Sequence, residues 1–83
     1  MRLTKSVKFR EEKFGGVLFE TRSEKVFTLN PTGVAIVREI AVGGDEDAIA
    51  ARLSDKFAGG EGVIEREVRT FIAELRERGL LDG

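Results

Sequence analysis

The sequence contains no cysteine, histidine, tryptophan or tyrosine. Without cysteine the fold has neither a disulfide nor a thiolate metal site to reinforce it. Without histidine, a Ser-His-Asp triad, a Cys-His pair and an imidazole zinc site are excluded. Acid–base catalysis near neutral pH would have to rest on perturbed carboxylates or lysines, so the chain is expected not to be an enzyme. No apolar run approaches the roughly 18–20 residues that cross a bilayer. The opening stretch MRLTKSVKFREEKF lacks the continuous apolar segment of a secretory signal, and the expected location is cytoplasmic. Neither sign of charge dominates: the formal net charge of the 83 residues is −1. The first 25 residues hold seven of the 14 Lys/Arg but only four of the 15 Asp/Glu. That small basic excess reads as a solvated sheet edge rather than the concentrated basic face of a nucleic-acid binder.

What is present divides into two regimes. Up to Leu29 apolar residues alternate with period two, and afterwards they recur at three and four. Val7 and Phe9 alternate with Lys8 and Arg10 and predict a first strand. Phe14-Gly15-Gly16 bends the chain, Val17-Leu18-Phe19 predicts a second strand, and Thr21-Arg22-Ser23-Glu24 a hairpin turn. Lys25–Leu29 is the predicted third strand, with Val26 and Thr28 on one face and Phe27 and Leu29 on the other.

Asn30 suits a helix N-cap and Pro31, the single proline, the first helical position. Val34, Val37, Ile40 and Ala41 form the expected buried stripe of a first helix that ends at Gly43-Gly44. Asp45 caps a second helix, and Glu46 and Asp47 complement its positive end. Ile49, Leu53 and Phe57 share one face of it. Asp45-Glu46-Asp47 lacks calcium-loop spacing, and the paired glycines lack a phosphate-loop context, so neither a metal nor a cofactor is expected. After Ala58-Gly59-Gly60-Glu61-Gly62, a third helix is predicted over roughly Val63–Arg78. Ile64, Val68, Phe71, Ile72 and Leu75 form its core face, and Gly79-Leu80 a Schellman-type ending. At 100° per residue, Glu65, Arg69 and Arg76 lie on one flank of that stripe and Glu67, Glu74 and Arg78 on the other. The expected fold class is α+β in one domain, residues 1–83: a small three-stranded antiparallel sheet over 1–29, then a three-helix unit over 30–83.

Several blocks, taken in order and spacing, carry a family resemblance across nearly the whole chain. They are Gly16-Val17-Leu18-Phe19; Val26-Phe27-Thr28-Leu29-Asn30-x-x-Gly33; Ile36 and Val37; and Val68-x-x-Phe71-x-x-x-Leu75-x-x-x-Gly79-Leu80-Leu81. The chain resembles the PqqD-like family, the peptide-binding recognition elements of ribosomal peptide modification, whose fold is similar to a winged helix-turn-helix. The approach Phe14-Gly15-Gly16 is similar to the mycofactocin-pathway branch. Two features depart from the family pattern: the glycine-rich joint before the third helix, and Glu67 where an aspartate is expected.

The resemblance implies a function without chemistry. Its members bind the leader segment of a precursor peptide and present it to a modifying enzyme, often a radical SAM protein, in peptide or cofactor biosynthesis. The leader adds as a strand to the third strand's edge, beside the third helix. On that basis the candidate peptide-binding residues are Lys25, Val26, Phe27, Thr28 and Leu29 of the strand, with Arg69, Ile72, Ala73 and Arg76 of the helix. Phe27 and Leu29 also read as core residues, and Arg69 and Arg76 as members of a solvated face. Two other readings stand beside this one. The first is a winged-helix DNA binder, which the even balance of arginine and glutamate on the third helix disfavours. The second is a docking or oligomerisation module, monomeric or homodimeric, with exchange of elements between chains as one form.

Overall fold

The computed structural model describes residues 1–57 and 62–82. The predicted glycine-rich joint at Ala58-Gly59-Gly60-Glu61 lies outside the described residues. The elements in order are β1 (Arg2–Leu3), β2 (Val7–Glu12), β3 (Gly15–Glu20), β4 (Lys25–Leu29), α1 (Pro31–Val42), α2 (Glu46–Lys56), α3 (Val63–Glu77) and β5 (Leu81–Asp82). The fold is α+β. Its main sheet is antiparallel with the order β2-β3-β4, and a separate two-stranded ribbon pairs β1 with β5.

Period-two alternation sets the sheet's two faces. Cross-strand rows place Phe9, Leu18 and Phe27 side by side, and Lys8, Phe19 and Val26 side by side. The first row turns toward the helices: Leu18 is fully buried, and Phe9 and Phe27 pack against the core. The second row faces away, leaving Val26 59% exposed. β3 begins at Gly15, two residues earlier than the apolar run announces, because Lys13 and Phe14 alone make the turn between Glu12 and its partner Gly15. Gly15 has a φ of 148°, and a Cβ there would lie 2.0 Å from the Leu29 carbonyl oxygen. Only glycine lets the start of β3 pass so close to the end of β4.

The predicted helix starts are present. Asn30 Oδ1 accepts the Gly33 amide at 2.7 Å and Asp45 Oδ1 accepts the Ala48 amide at 2.8 Å, each satisfying an otherwise orphaned donor. α3 begins on Gly62 at positive φ without a side-chain cap. Its end is a Schellman motif: Gly79 adopts a φ of 74°, its amide donates to Arg76 O, and the Leu80 amide donates to Leu75 O. Leu80 then enters the core, and β5 pairs with β1 beyond it. That ribbon is absent from the sequence reading because two-residue strands carry no readable period.

The core joins the sheet's inner face to all three helices through Leu18, Leu29, Val37, Ile49, Leu53, Val68 and Ile72. In α1 one expectation is corrected. Ala41 is exposed, and Ile36 and Glu39 are buried instead. The helix is wrapped on more than one side, by the sheet and by α2, so its buried arc is wider than a single stripe. Phe57, expected to continue the Ile49–Leu53 face, is 40% exposed because α2 ends at Lys56 and the chain leaves the helix there.

Glu39 is a charge inside this interface. Arg52 Nε donates to its Oε1 at 2.6 Å and Lys56 Nζ to its Oε2 at 2.7 Å. Arg52 Nη2 also donates to the carbonyls of Glu39 and Gly43, closing the C-terminal end of α1 with a cation. The hydrogen bonds from Lys56 and then Arg52 hold the Glu39 carboxyl below its ordinary pKa, against the opposing effect of burial.

Candidate functional site

β4 is an edge of the main sheet. It pairs with β3 on one side. Among the described residues, Lys25–Leu29 make no turn, cap or loop backbone bond beyond that ladder. The chain's own first strand, which could have covered this margin, pairs with β5 instead. In an antiparallel pair, alternate residues aim their N–H and C=O away from the partner, so β4 presents a row of unpaired groups suited to another extended segment.

Beside that edge runs a groove between β4 and α3. α3 packs chiefly on α2 and stands off from β4. Three adjoining hollows result. The central one, about 290 Å³, lies between Val26–Leu29 of β4 and Phe71, Glu74 and Arg78 of α3. A second, about 340 Å³, continues past Phe71 and Glu74 to Asn30, Thr32, Arg66 and Thr70. A third, about 350 Å³, continues past Phe27 and Arg78 to Arg22 and Lys25 at the hairpin. The Phe27 and Phe71 rings, each half-buried, make the middle of the groove apolar while its ends are polar. β4 is about 17 Å long, and Arg66 to Arg78 on α3 is about 18 Å. The groove therefore matches an extended segment of about five residues.

The strand residues named from the sequence all lie along this groove or its rim. Val26 and Thr28 are exposed, Phe27 is half-buried against the groove and Leu29 is its buried floor. The four helix residues lie elsewhere. Ile72 is 0% exposed and belongs to the core. Ala73 is exposed but does not line the groove. Arg69 donates to Glu46 at 2.7 Å and to Asp47 at 2.9 Å, and Arg76 comes within 4.0 Å of Glu46. These arginines line a separate polar cleft with Met1 and the start of α2, on the opposite flank of α3. Hydrogen bonding and charge from Asp47, then from Glu46, raise the Arg69 pKa. The helix residues that do reach the groove are Thr70, Phe71, Glu74 and Arg78, with Arg66 and Glu67 at its far end. The sequence separates the two flanks by helical angle, and only the packing of α3 on α2 decides which one faces β4.

Among the described residues no cluster of His, Cys, Asp or Glu could hold a metal ion, and no buried side-chain polar atom lacks a partner. At the hairpin end of the groove the Glu20 carboxyl is held below its ordinary pKa. The Ser6 hydroxyl lowers its pKa most, burial opposes that, and the Arg22 and Ser23 amides lower it further. Those amides are bonds of the β3–β4 turn, so the group is structural.

Residues 15–81 match the family described as coenzyme PQQ synthesis protein D. The chain belongs to the PqqD family. No curated protein sequence matches it. Two solved structures share the architecture seen here. One is TbiB1 in complex with the TbiA(beta) leader peptide, at a TM-score of 0.86 and 22% identity, covering 100% of this chain and 96% of that one. The other is lasso peptide synthetase B1 complexed with the leader peptide, at a TM-score of 0.80 and 25% identity, covering 95% of this chain and 93% of that one. Among the described residues, no helix is long and apolar enough to cross a membrane.

Proposed function

We propose that this PqqD-family chain is a non-catalytic recognition domain. It binds the leader segment of a precursor peptide by strand addition to β4 and presents the peptide to a modifying enzyme. The carrying observation is the open β4 edge running beside an apolar-centred groove of matching length. Main-chain pairing supplies affinity that depends little on sequence, and side chains entering the groove supply selectivity. A short strand reaches micromolar binding, about −8 kcal/mol, only with a buried apolar anchor, and Phe27 and Phe71 provide the surface for one. The two structural relatives were both solved with leader peptides, which supports this reading. On this reading the binding residues are Lys25–Leu29 with Thr70, Phe71, Glu74 and Arg78, while Arg69 and Arg76 serve the α2–α3 contact. The enzyme served is a peptide-modifying enzyme, of which a radical SAM protein is one class.

The test is titration of isotope-labelled protein with the leader peptide of the precursor encoded beside it. Amide shifts concentrated on β4 and on Thr70–Arg78, lost when alternate leader amides are N-methylated, are expected. No shift in β4 at high micromolar peptide would refute the proposal. DNA reading by α3 has no support in the structure. Its exposed positions interleave Glu65, Glu67, Glu74 and Glu77 with arginines, and the glutamates would repel phosphates.

A further inference from the structure

The groove is electrically polarised along its length. At the Asn30 end its charged walls are Glu67 and Glu74 against Arg66. At the hairpin end they are Arg22, Lys25 and Arg78 against Glu20. Glu20 is already engaged by the Ser6 hydroxyl and by the turn amides, so its charge is largely spent within the fold. Among the described residues Lys25, Glu67, Glu74 and Arg78 take part in no salt bridge. On the other flank of α3, by contrast, Arg69 and Arg76 are matched to Glu46 and Asp47. Among the described residues, Arg69 and Arg76 on the α2 side are ion-paired within the fold, and the charges facing the groove have no ion-pair partner.

We infer that this polarity selects both the ligand's charge pattern and its direction. The inference rests on the reading of β4 as the docking edge. The docked strand carries an acidic side chain where it passes Lys25 and Arg78, an apolar anchor over Phe27 and Phe71, and a basic side chain where it passes Glu67 and Glu74. Every pairing in the β2-β3-β4 sheet is antiparallel, and a further strand continues that pattern most favourably. An antiparallel ligand enters at the Leu29 end and leaves at the Lys25 end. Its order is therefore basic, apolar, acidic from N- to C-terminus. Glu67 and Arg78 are about 16 Å apart along α3. Side chains on one face of an extended strand lie an even number of positions apart, so the two charged ligand residues sit about four positions apart, one on each side of the anchor.

The experiment uses the full chain and three capped nine-residue peptides on one threonine- and serine-rich frame with a central leucine. One has lysine at the third position and glutamate at the seventh, on the same face as the leucine, one has the two exchanged, and one has glutamine at both. Dissociation constants come from β4 amide shifts at low and high salt. The lysine-first peptide is expected to bind about fivefold tighter than the exchanged one, as two modest ion pairs allow. The gap should close at high salt. In a Lys25→Glu, Arg78→Glu chain both ends of the groove are acidic, so the preference should vanish, and it should invert only when the charges at both ends are exchanged. A Glu67→Lys, Glu74→Lys chain, altered at the opposite end, should lose preference for the lysine-first peptide by a similar factor. Equal affinities with the same β4 shifts, or tighter binding of the exchanged peptide to the native chain, would overturn the inference and leave the docking edge standing. No β4 shift with any of the three peptides would overturn the docking edge itself.

Discussion

The Arg78 guanidinium lies over the Phe27 ring, 5.0 Å from its centroid. This contact spans the groove, joining the end of α3 to the middle of β4. A cation over an aromatic face at an exposed site contributes roughly 0.5–1 kcal/mol, so the contact is weak enough for an incoming apolar side chain to displace.

That relationship separates two substitutions. Arg78→Ala is expected to lower stability by less than about 1 kcal/mol in denaturant titration. Phe27→Ala removes a ring that both packs on the core and walls the groove. It should weaken leader binding by about tenfold or more while the chain stays folded. Calorimetric titration of folded Phe27→Ala with unchanged affinity would show that the ring is not an anchor.

The flank of α3 that faces α2 should behave differently. Arg69→Ala and Arg76→Ala remove partly exposed ion pairs with Glu46 and Asp47, each expected to cost no more than about 1 kcal/mol. Leader affinity should stay within about twofold of the unaltered chain. A tenfold loss on either substitution would place the ligand on that flank instead.

Gly15→Ala should be among the most damaging single-atom changes. The new Cβ meets the Leu29 carbonyl oxygen at 2.0 Å on a backbone at positive φ, so β3 and β4 must separate or the chain must rotate. A loss of at least about 2 kcal/mol is expected from thermal or urea unfolding. Because the displaced atoms belong to β4, leader binding should fall with it. A neutral result would mean that the close approach is relaxed in solution.

The buried Glu39 gives the fold a defined acid limit. Its folded-state pKa is depressed by Lys56 and Arg52. Its contribution is therefore complete above the ordinary value of 4.5 and fades as pH falls through the lower folded value. Glu39→Gln should cost about 2 kcal/mol at neutral pH, less than for a fully buried pair, because Lys56 remains largely exposed. Unfolding free energies measured across this range should fall less steeply with acid in Glu39→Gln than in the native chain. Parallel curves would assign the acid limit to other carboxylates.

The switch from period two to period three and four at Leu29–Asn30 was written locally, and so were the caps at Asn30 and Asp45 and the Schellman ending at Gly79-Leu80. Each depends on the residues themselves and their near neighbours: side-chain alternation, a short polar side chain meeting an amide two or three residues on, a backbone free to take positive φ. The same local code marked Lys25–Leu29 as a strand with two distinct faces, and the absence of histidine and cysteine removed the commonest catalytic devices. Only the tertiary structure decided that β4 stays an open edge, because that depends on β1 finding a partner eighty residues along the chain in β5. It also decided which flank of α3 lines the groove. By helical angle the two flanks are equivalent. The choice is made where Val68, Ile72 and Leu75 bury in the core and Glu46 and Asp47 capture Arg69, turning Phe71, Glu74 and Arg78 toward β4.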